Sequence, residues 1–222
     1  MMIPGLHLPS SRARTMREAS NPPGKAPSSR LYPSNHLKRL LEMLSGIPKP
    51  HVLDLGRLSS SNIEWLIQRG FKVYADDQIT SLKPPPPPPV SLKSEKQKPP
   101  PVALEPLDYE PAFFHAVLCW DIFDYLAAIQ AQELIAGIAR IIKPKGHLLA
   151  FFNFNRSSSP LPVRYRILRE DQLEYESLPL NPIPRRIYEN REIEELFSGF
   201  GPVNFCFLKH QMREALVQRR SG

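Results

Sequence analysis

The sequence predicts an α/β fold, doubly wound about a mostly parallel sheet. Three patterns point to it. His51-Val52-Leu53-Asp54-Leu55-Gly56 and Phe71–Ala75 are short apolar runs, and Ile63, Leu66 and Ile67 between them recur at helical spacing. Phe113–Cys119 and His147–Phe154 are two further apolar runs, flanking residues 127–142. Val203–Leu208 and Glu214–Gln218 are strand-like and separated by a short turn, which suits an antiparallel pair. A strand–helix–strand unit implies parallel strands and a right-handed crossover.

Each element follows from its residues. Ser34-Asn35 suits a helix cap, and Leu37, Leu40, Leu41 and Leu44 share one helical face before Ile47-Pro48-Lys49-Pro50 stops it. Gly56 closes the first strand, and Ser59-Ser60-Ser61-Asn62 offers cap residues for the next helix. Gly70 suits that helix's carboxyl end. Within 127–142, Ile129, Leu134, Ile138, Ile141 and Ile142 lie near one stripe, which Lys143-Pro144-Lys145-Gly146 ends. Residues 155–188 read as loop, with a short extended excursion around Arg164–Leu168. Asn190 is positioned to cap a helix over Arg191–Phe197.

Charge and proline divide the 222 residues into core and appendages. The net charge is +7, and 26 residues are proline, over twice the usual share of about 5 %. Residues 1–50 carry +6 and residues 83–101 carry +3, leaving −2 for everything else. The same two segments hold 17 of the prolines. A basic groove built into the fold is therefore not expected, and nucleic acid would meet only the tails. Residues 1–32 read as a disordered basic tail, and 33–222 as one domain interrupted by a disordered insertion at 83–101. The six prolines 84–89 favour polyproline II, about 19 Å long at roughly 3.1 Å per residue. That insertion reads first as a plain surface insertion, and docking of a proline-reading partner is the alternative.

Other classes drop out. No run of eighteen apolar residues occurs, so no membrane-spanning helix is expected. The amino terminus lacks the apolar stretch of a secretory signal, its prolines oppose an amphipathic transit helix, and Met16 offers a second start. The expected compartment is cytoplasmic. Cys119 and Cys206 stand alone in apolar surroundings, so reduced, buried thiols and no metal site are expected.

Chemistry is expected at the carboxyl ends of the parallel strands. The loop after the first strand carries Asp54, Gly56 and Ser59, with a helix amino terminus behind it. Asp77 lies 23 residues beyond Asp54, where a carboxylate would accept both hydroxyls of a ribose. Asp108 precedes the third apolar run and Cys119-Trp120-Asp121 follows it; together they would hold an adenine and a cationic group. The dinucleotide fingerprint needs glycines where this loop has Leu58 and Ser61, and no Gly-Lys-Ser/Thr occurs. A pyrophosphate ligand is thereby disfavoured.

These residues resemble class I S-adenosylmethionine-dependent methyltransferases. Val52-Leu53-Asp54-Leu55-Gly56 and Gly70-Phe71-Lys72-Val73-Tyr74-Ala75-Asp76-Asp77 are similar to that family's first two motifs. Phe114–Leu126 is similar to its stretch around strand four, and Ala139-Arg140-Ile141-Ile142-Lys143-Pro144-Lys145-Gly146-His147-Leu148-Leu149 to its segment before strand five. The resemblance implies a Rossmann-like, seven-stranded sheet whose last strand is antiparallel. It implies S-adenosylmethionine over the first loop, with Asp54, Gly56 and Ser59 shaping the pocket. Asp77 would bind the ribose, Asp108 the adenine, and Cys119 and Trp120 would line the methionine end. Asp121 and Tyr125 are the candidate groups to assist methyl transfer. Two of the family's three glycines are replaced, by Leu58 and Ser60. The acceptor pocket would come from 155–188, where Arg164, Tyr165, Arg166, Arg185 and Arg186 cluster. The expected function is methyl transfer to an unidentified acceptor. The alternative is a non-catalytic binding or regulatory protein of the same fold, acting through its proline-rich segments.

Overall fold

The computed structural model describes residues 29–79, 104–154, 163–178, 185–208 and 212–221. The tail up to residue 28 and the whole 83–101 insertion, within 80–103, lie outside them. The described chain opens with β1, Ser29–Pro33, and α1, Asn35–Leu44. Then come β2, His51–Asp54; α2, Ser60–Ile67; and β3, Lys72–Ala75. After the insertion follow β4, Phe114–Trp120; α3, Ala128–Ile141; and β5, Ile142–Asn153. The last elements are β6, Val163–Arg169; β7, Gln172–Ser177; α4, Asn190–Leu196; β8, Asn204–Leu208; and β9, Met212–Gln218.

The main sheet has the order β3-β2-β4-β5-β9-β8. β2 pairs in parallel with β3 and β4, and β4 with β5. β9 returns antiparallel to β5, and β8 antiparallel to β9. The α/β class, the parallel centre and the antiparallel ending are as the sequence predicts. Among the described residues the sheet has six strands, one fewer than the expected seven, and none pairs on the outer side of β3.

Side chains alternate across the sheet, so its two faces bury different sets. Leu53, Val117, Leu148, Phe152 and Val217 face α3 and α4, meeting Leu134, Ile138, Ile141 and Ile193. Val52, Ala116, Leu118, Phe151 and Leu216 face the other way, onto Leu37, Leu40 and Leu44 of α1 and Leu66 of α2. β4 is central and buried on both faces, hence its continuous apolar run. Gly70, at φ +84°, turns the chain from α2 into β3 in a conformation that favours glycine.

Three expectations need correction. The tail boundary moves to before Ser29, because Ser29–Pro33 pairs antiparallel with β7. The described part of 155–188 is more than a loop with one short extended excursion: β6 and β7 form a hairpin and, with β1, a second sheet of order β1-β7-β6. Val163, Tyr165 and Ile167 alternate inward between outward Arg164, Arg166 and Leu168, but their cover comes from distant segments. The cap of α4 is Glu189 rather than Asn190: Glu192 accepts the Glu189 N–H at 2.8 Å, while Asn190 Oδ1 is taken by Arg213. No helix of the described residues is long and apolar enough to cross a membrane.

Candidate functional site

β2 is followed in the chain by β3 on one side and β4 on the other, so the strand order reverses at β2 and opens a crevice at the carboxyl ends. Asp54 ends β2 and is buried. Its Oδ1 accepts the Gly56 N–H at 2.9 Å and the Trp120 indole N–H at 2.6 Å. Burial pushes its pKa up to about 6 against those two hydrogen bonds.

Trp120 ends β4 at φ +47°, a left-handed conformation uncommon for a bulky residue. Its ring lies flat on Tyr165 of β6, 5.2 Å between centroids at 9°, and edge-on to Phe151 at 5.4 Å. The indole rests on Gly56: a Cβ there would stand 2.7 Å from Nε1 and nearer still to Cδ1. Gly56 is therefore needed for close approach of a side chain from the neighbouring strand.

The loop after β2 is tied to the end of β3, where Asp77 Oδ2 accepts the Leu58 N–H at 3.1 Å. Ser59 is buried at the amino end of α2, its hydroxyl 2.9 Å from that of Ser61. Gln78, which the sequence reading missed, is buried beside Asp77. Its Nε2 donates to Asp76 Oδ1 at 3.0 Å and to the Glu105 carbonyl at 3.2 Å, while its Oε1 has no partner among the described residues. The only local signal was its place after two strand-end acids.

A second group gathers after β4, where Asp121 is 1 % exposed. Its Oδ2 accepts the Tyr125 hydroxyl at 2.9 Å and Arg185 Nη2 at 3.3 Å. Arg185 Nη2 also donates to the Tyr125 oxygen at 2.8 Å. Burial raises the Asp121 carboxyl, with Arg185 opposing. Burial works against the Arg185 charge, but Asp121 and the neighbouring tyrosines raise its pKa overall. Asp121 Oδ1 has no partner among the described residues. Next to it, Asp124 Oδ2 accepts the Asn153 N–H at 3.0 Å, and burial and Asp121 push its carboxyl well above the usual range.

Asp54, Gly56, Ser59, Asp77, Trp120, Asp121 and Tyr125 thus all sit at the carboxyl ends. Asp108 does not: it is exposed at the amino end of β4, beside Phe113 and Arg140. It precedes β4 in the chain, which leaves it at the opposite edge of the sheet. Cys119 lies beneath the site in the α3-facing core, and burial, then Asp54, raises its thiol. Of the basic cluster only Arg185 meets Asp121; Arg166 pairs with Glu174 at 3.1 Å and Arg186 with Glu192 at 2.7 Å. Among the described residues no three His, Cys, Asp or Glu are grouped to hold a metal ion.

No protein-family model and no curated protein matches the chain. Solved structures do. One is the 1,6-didemethyltoxoflavin-N1-methyltransferase of Burkholderia thailandensis, with bound 1,6-didemethyltoxoflavin and S-adenosylhomocysteine. It is 15 % identical at a TM-score of 0.51, over 84 % of this chain and 78 % of that one. Another is an S-adenosylmethionine-dependent methyltransferase of Methanosarcina mazei, 12 % identical at a TM-score of 0.50, over 82 % of this chain and 98 % of that one. At such identities the likeness is one of fold.

Proposed function

We propose that this chain, which has the fold of the class I S-adenosylmethionine-dependent methyltransferases, transfers a methyl group from that cofactor to an acceptor. One observation carries the reading: hydrogen-bond acceptors converge on adjoining strand ends. Asp54, Asp77, Gln78 Oε1 and Asp121 Oδ1 all lie there, two of them buried without a partner. Such a set suits a ligand that is cationic and rich in N–H and O–H donors. S-adenosylmethionine brings an ammonium, a sulfonium, two ribose hydroxyls and an adenine amino group.

Asp77 would take the ribose hydroxyls, Gln78 Oε1 the adenine amino group, and the Gly56–Ser59 loop the methionyl part. When bound, the cofactor supplies an electrophilic methyl group on sulfur. The chain's own contribution is alignment and exclusion of water. Tyr165 and Phe151 wall the site behind Trp120. Asp121, its carboxyl raised by burial, would hold or take the proton of an O–H or N–H acceptor. Tyr125 and Arg185 fix its other oxygen. The residues fit the polar groups of the cofactor, and the Trp120 indole is the side chain lying across the loop.

Calorimetric titration with S-adenosylmethionine and S-adenosylhomocysteine tests the reading. Saturable binding is expected, lost or weakened at least about tenfold in Asp77→Ala, about 1.4 kcal/mol. A ligand at about 100 times its dissociation constant should add ~2.7 kcal/mol to stability. No heat and no thermal shift with either compound would overturn it and return the non-catalytic alternative.

A further inference from the structure

Trp120 belongs to the main sheet by its backbone and to the first loop by its side chain. β4 runs beside β2, and the indole reaches from the end of β4 across onto Gly56. We propose that this ring is a gate: it occupies the seat that the Gly56–Ser59 loop would offer the methionyl part of the cofactor, and binding has to lift it. The gate presupposes the methyl-transfer reading and adds to it a step that limits affinity and rate.

The ring is held down on three sides. Its N–H donates to Asp54 Oδ1 at 2.6 Å, the same oxygen that accepts the Gly56 N–H at 2.9 Å. Tyr165 stacks on it at 5.2 Å and 9°, and Phe151 meets it edge-on at 5.4 Å. The residue is 3 % exposed. The indole also lies so close to Gly56 that a single methyl group there would overlap it. No atom of a ligand fits between the ring and the loop, so ring and ligand exclude one another.

The backbone works against these contacts. Trp120 is at φ +47°, where a bulky side chain crowds its own main chain, and no other residue of β4 is at positive φ. Such strain persists only where the surroundings over-determine it. A change of φ at Trp120 re-aims its Cα–Cβ bond and moves the ring with it. The closed position is therefore a balance, with a hydrogen bond and stacking on one side and backbone strain on the other. That is the make-up of an element with two states, which a ligand shifts by binding only one of them. While the ring is down the loop cannot bind, so the observed affinity is the intrinsic one reduced by the open fraction.

The test compares full-length wild type, Trp120→Ala and Trp120→Phe by calorimetric titration with S-adenosylhomocysteine. Trp120→Ala removes the gate and should bind at least about tenfold more tightly than wild type. Trp120→Phe keeps an aromatic ring for Tyr165 but loses the hydrogen bond to Asp54, and should bind about threefold more tightly. In Trp65→Phe, Trp120 is the sole tryptophan, and stopped-flow emission follows it directly. The observed rate should level off as S-adenosylhomocysteine increases, because lifting the ring is a step within one molecule. Equal or weaker affinity in both Trp120 variants overturns the gate and leaves the methyl-transfer reading standing. So does an observed rate proportional to concentration throughout. Binding by none of the three proteins overturns both. Should Trp120→Ala fail to fold, Trp120→Phe and the observed rate decide the matter.

Discussion

Glu214 sits in the middle of β9 with its carboxyl fully buried, accepting the Ser34 hydroxyl and, at 3.0 Å, the His36 N–H. It secures the amino end of α1 to the main sheet. Burial, against those hydrogen bonds, raises its pKa from 4.5 to about 7. The sign follows from proton counts. Between these values the folded chain keeps a proton that the unfolded chain releases, so this residue's contribution falls as pH rises. The loss is complete above about pH 7 and absent below about 4.5. Glu214→Gln keeps one acceptor, for the His36 N–H, turns the other side into a donor toward the Ser34 hydroxyl, and removes the titration. Denaturant unfolding should show wild type losing on the order of 2 kcal/mol relative to the variant between pH 4.5 and 7. Gly56 makes a second prediction at this scale. Any side chain there meets the Trp120 indole, so Gly56→Ala should cost about 1–3 kcal/mol of stability. Adding Trp120→Phe should recover part of that, and strict additivity of the two changes in a double-mutant cycle would refute the contact.

Among the elements, the β6–β7 hairpin was only half legible. Its alternation of Val163, Tyr165 and Ile167 with arginines marked an extended segment. Its partner β1 lies more than a hundred residues earlier, and local periodicity says nothing about partners. β6 is an edge strand of the small sheet, and its outer backbone groups are met by a side chain. Asn62 of α2 donates to the Tyr165 carbonyl at 2.9 Å and accepts the Ile167 N–H at 2.8 Å. An amide here acts as a short stand-in for a further strand and clips the small sheet to α2. Asn62→Ala would leave both backbone groups buried and unpaired, at a cost of about 2–4 kcal/mol. Hydrogen exchange at the Ile167 amide should quicken more than exchange in β5. Uniform protection across both would show that the clip is not local. In contrast α1 was legible nearly to its ends, because Leu37, Leu40, Leu41 and Leu44 are all buried on one face. The faces of α2 and α3 were read less well: Ile67 and Ile129, expected on the buried side, are exposed, and Asn62 and Gln130 are buried instead.

At the scale of the molecule, the two sheets meet at Trp120, whose indole joins Asp54 of the main sheet to Tyr165 of the small one. A ligand seated on the Gly56 loop must move that ring. The chain has two tryptophans, and the other, Trp65, lies on α2 beneath the Arg69 guanidinium. S-adenosylhomocysteine should therefore change the tryptophan emission in Trp65→Phe and leave it unchanged in Trp120→Phe. An equal response from both variants would place the ligand elsewhere. The sequence by itself determined the order of strands and helices in the main sheet, its parallel centre, and the strand-end places of Asp54, Asp77 and Asp121. These follow from apolar runs and from where the runs stop, which are local properties. Only the tertiary structure decided that Arg185 reaches Asp121 across 64 residues, that Asp108 lies at the wrong end of the sheet, and that Trp120 covers Gly56. Those outcomes depend on which distant segments pack together, and packing is settled by long-range burial and charge pairing rather than by periodicity.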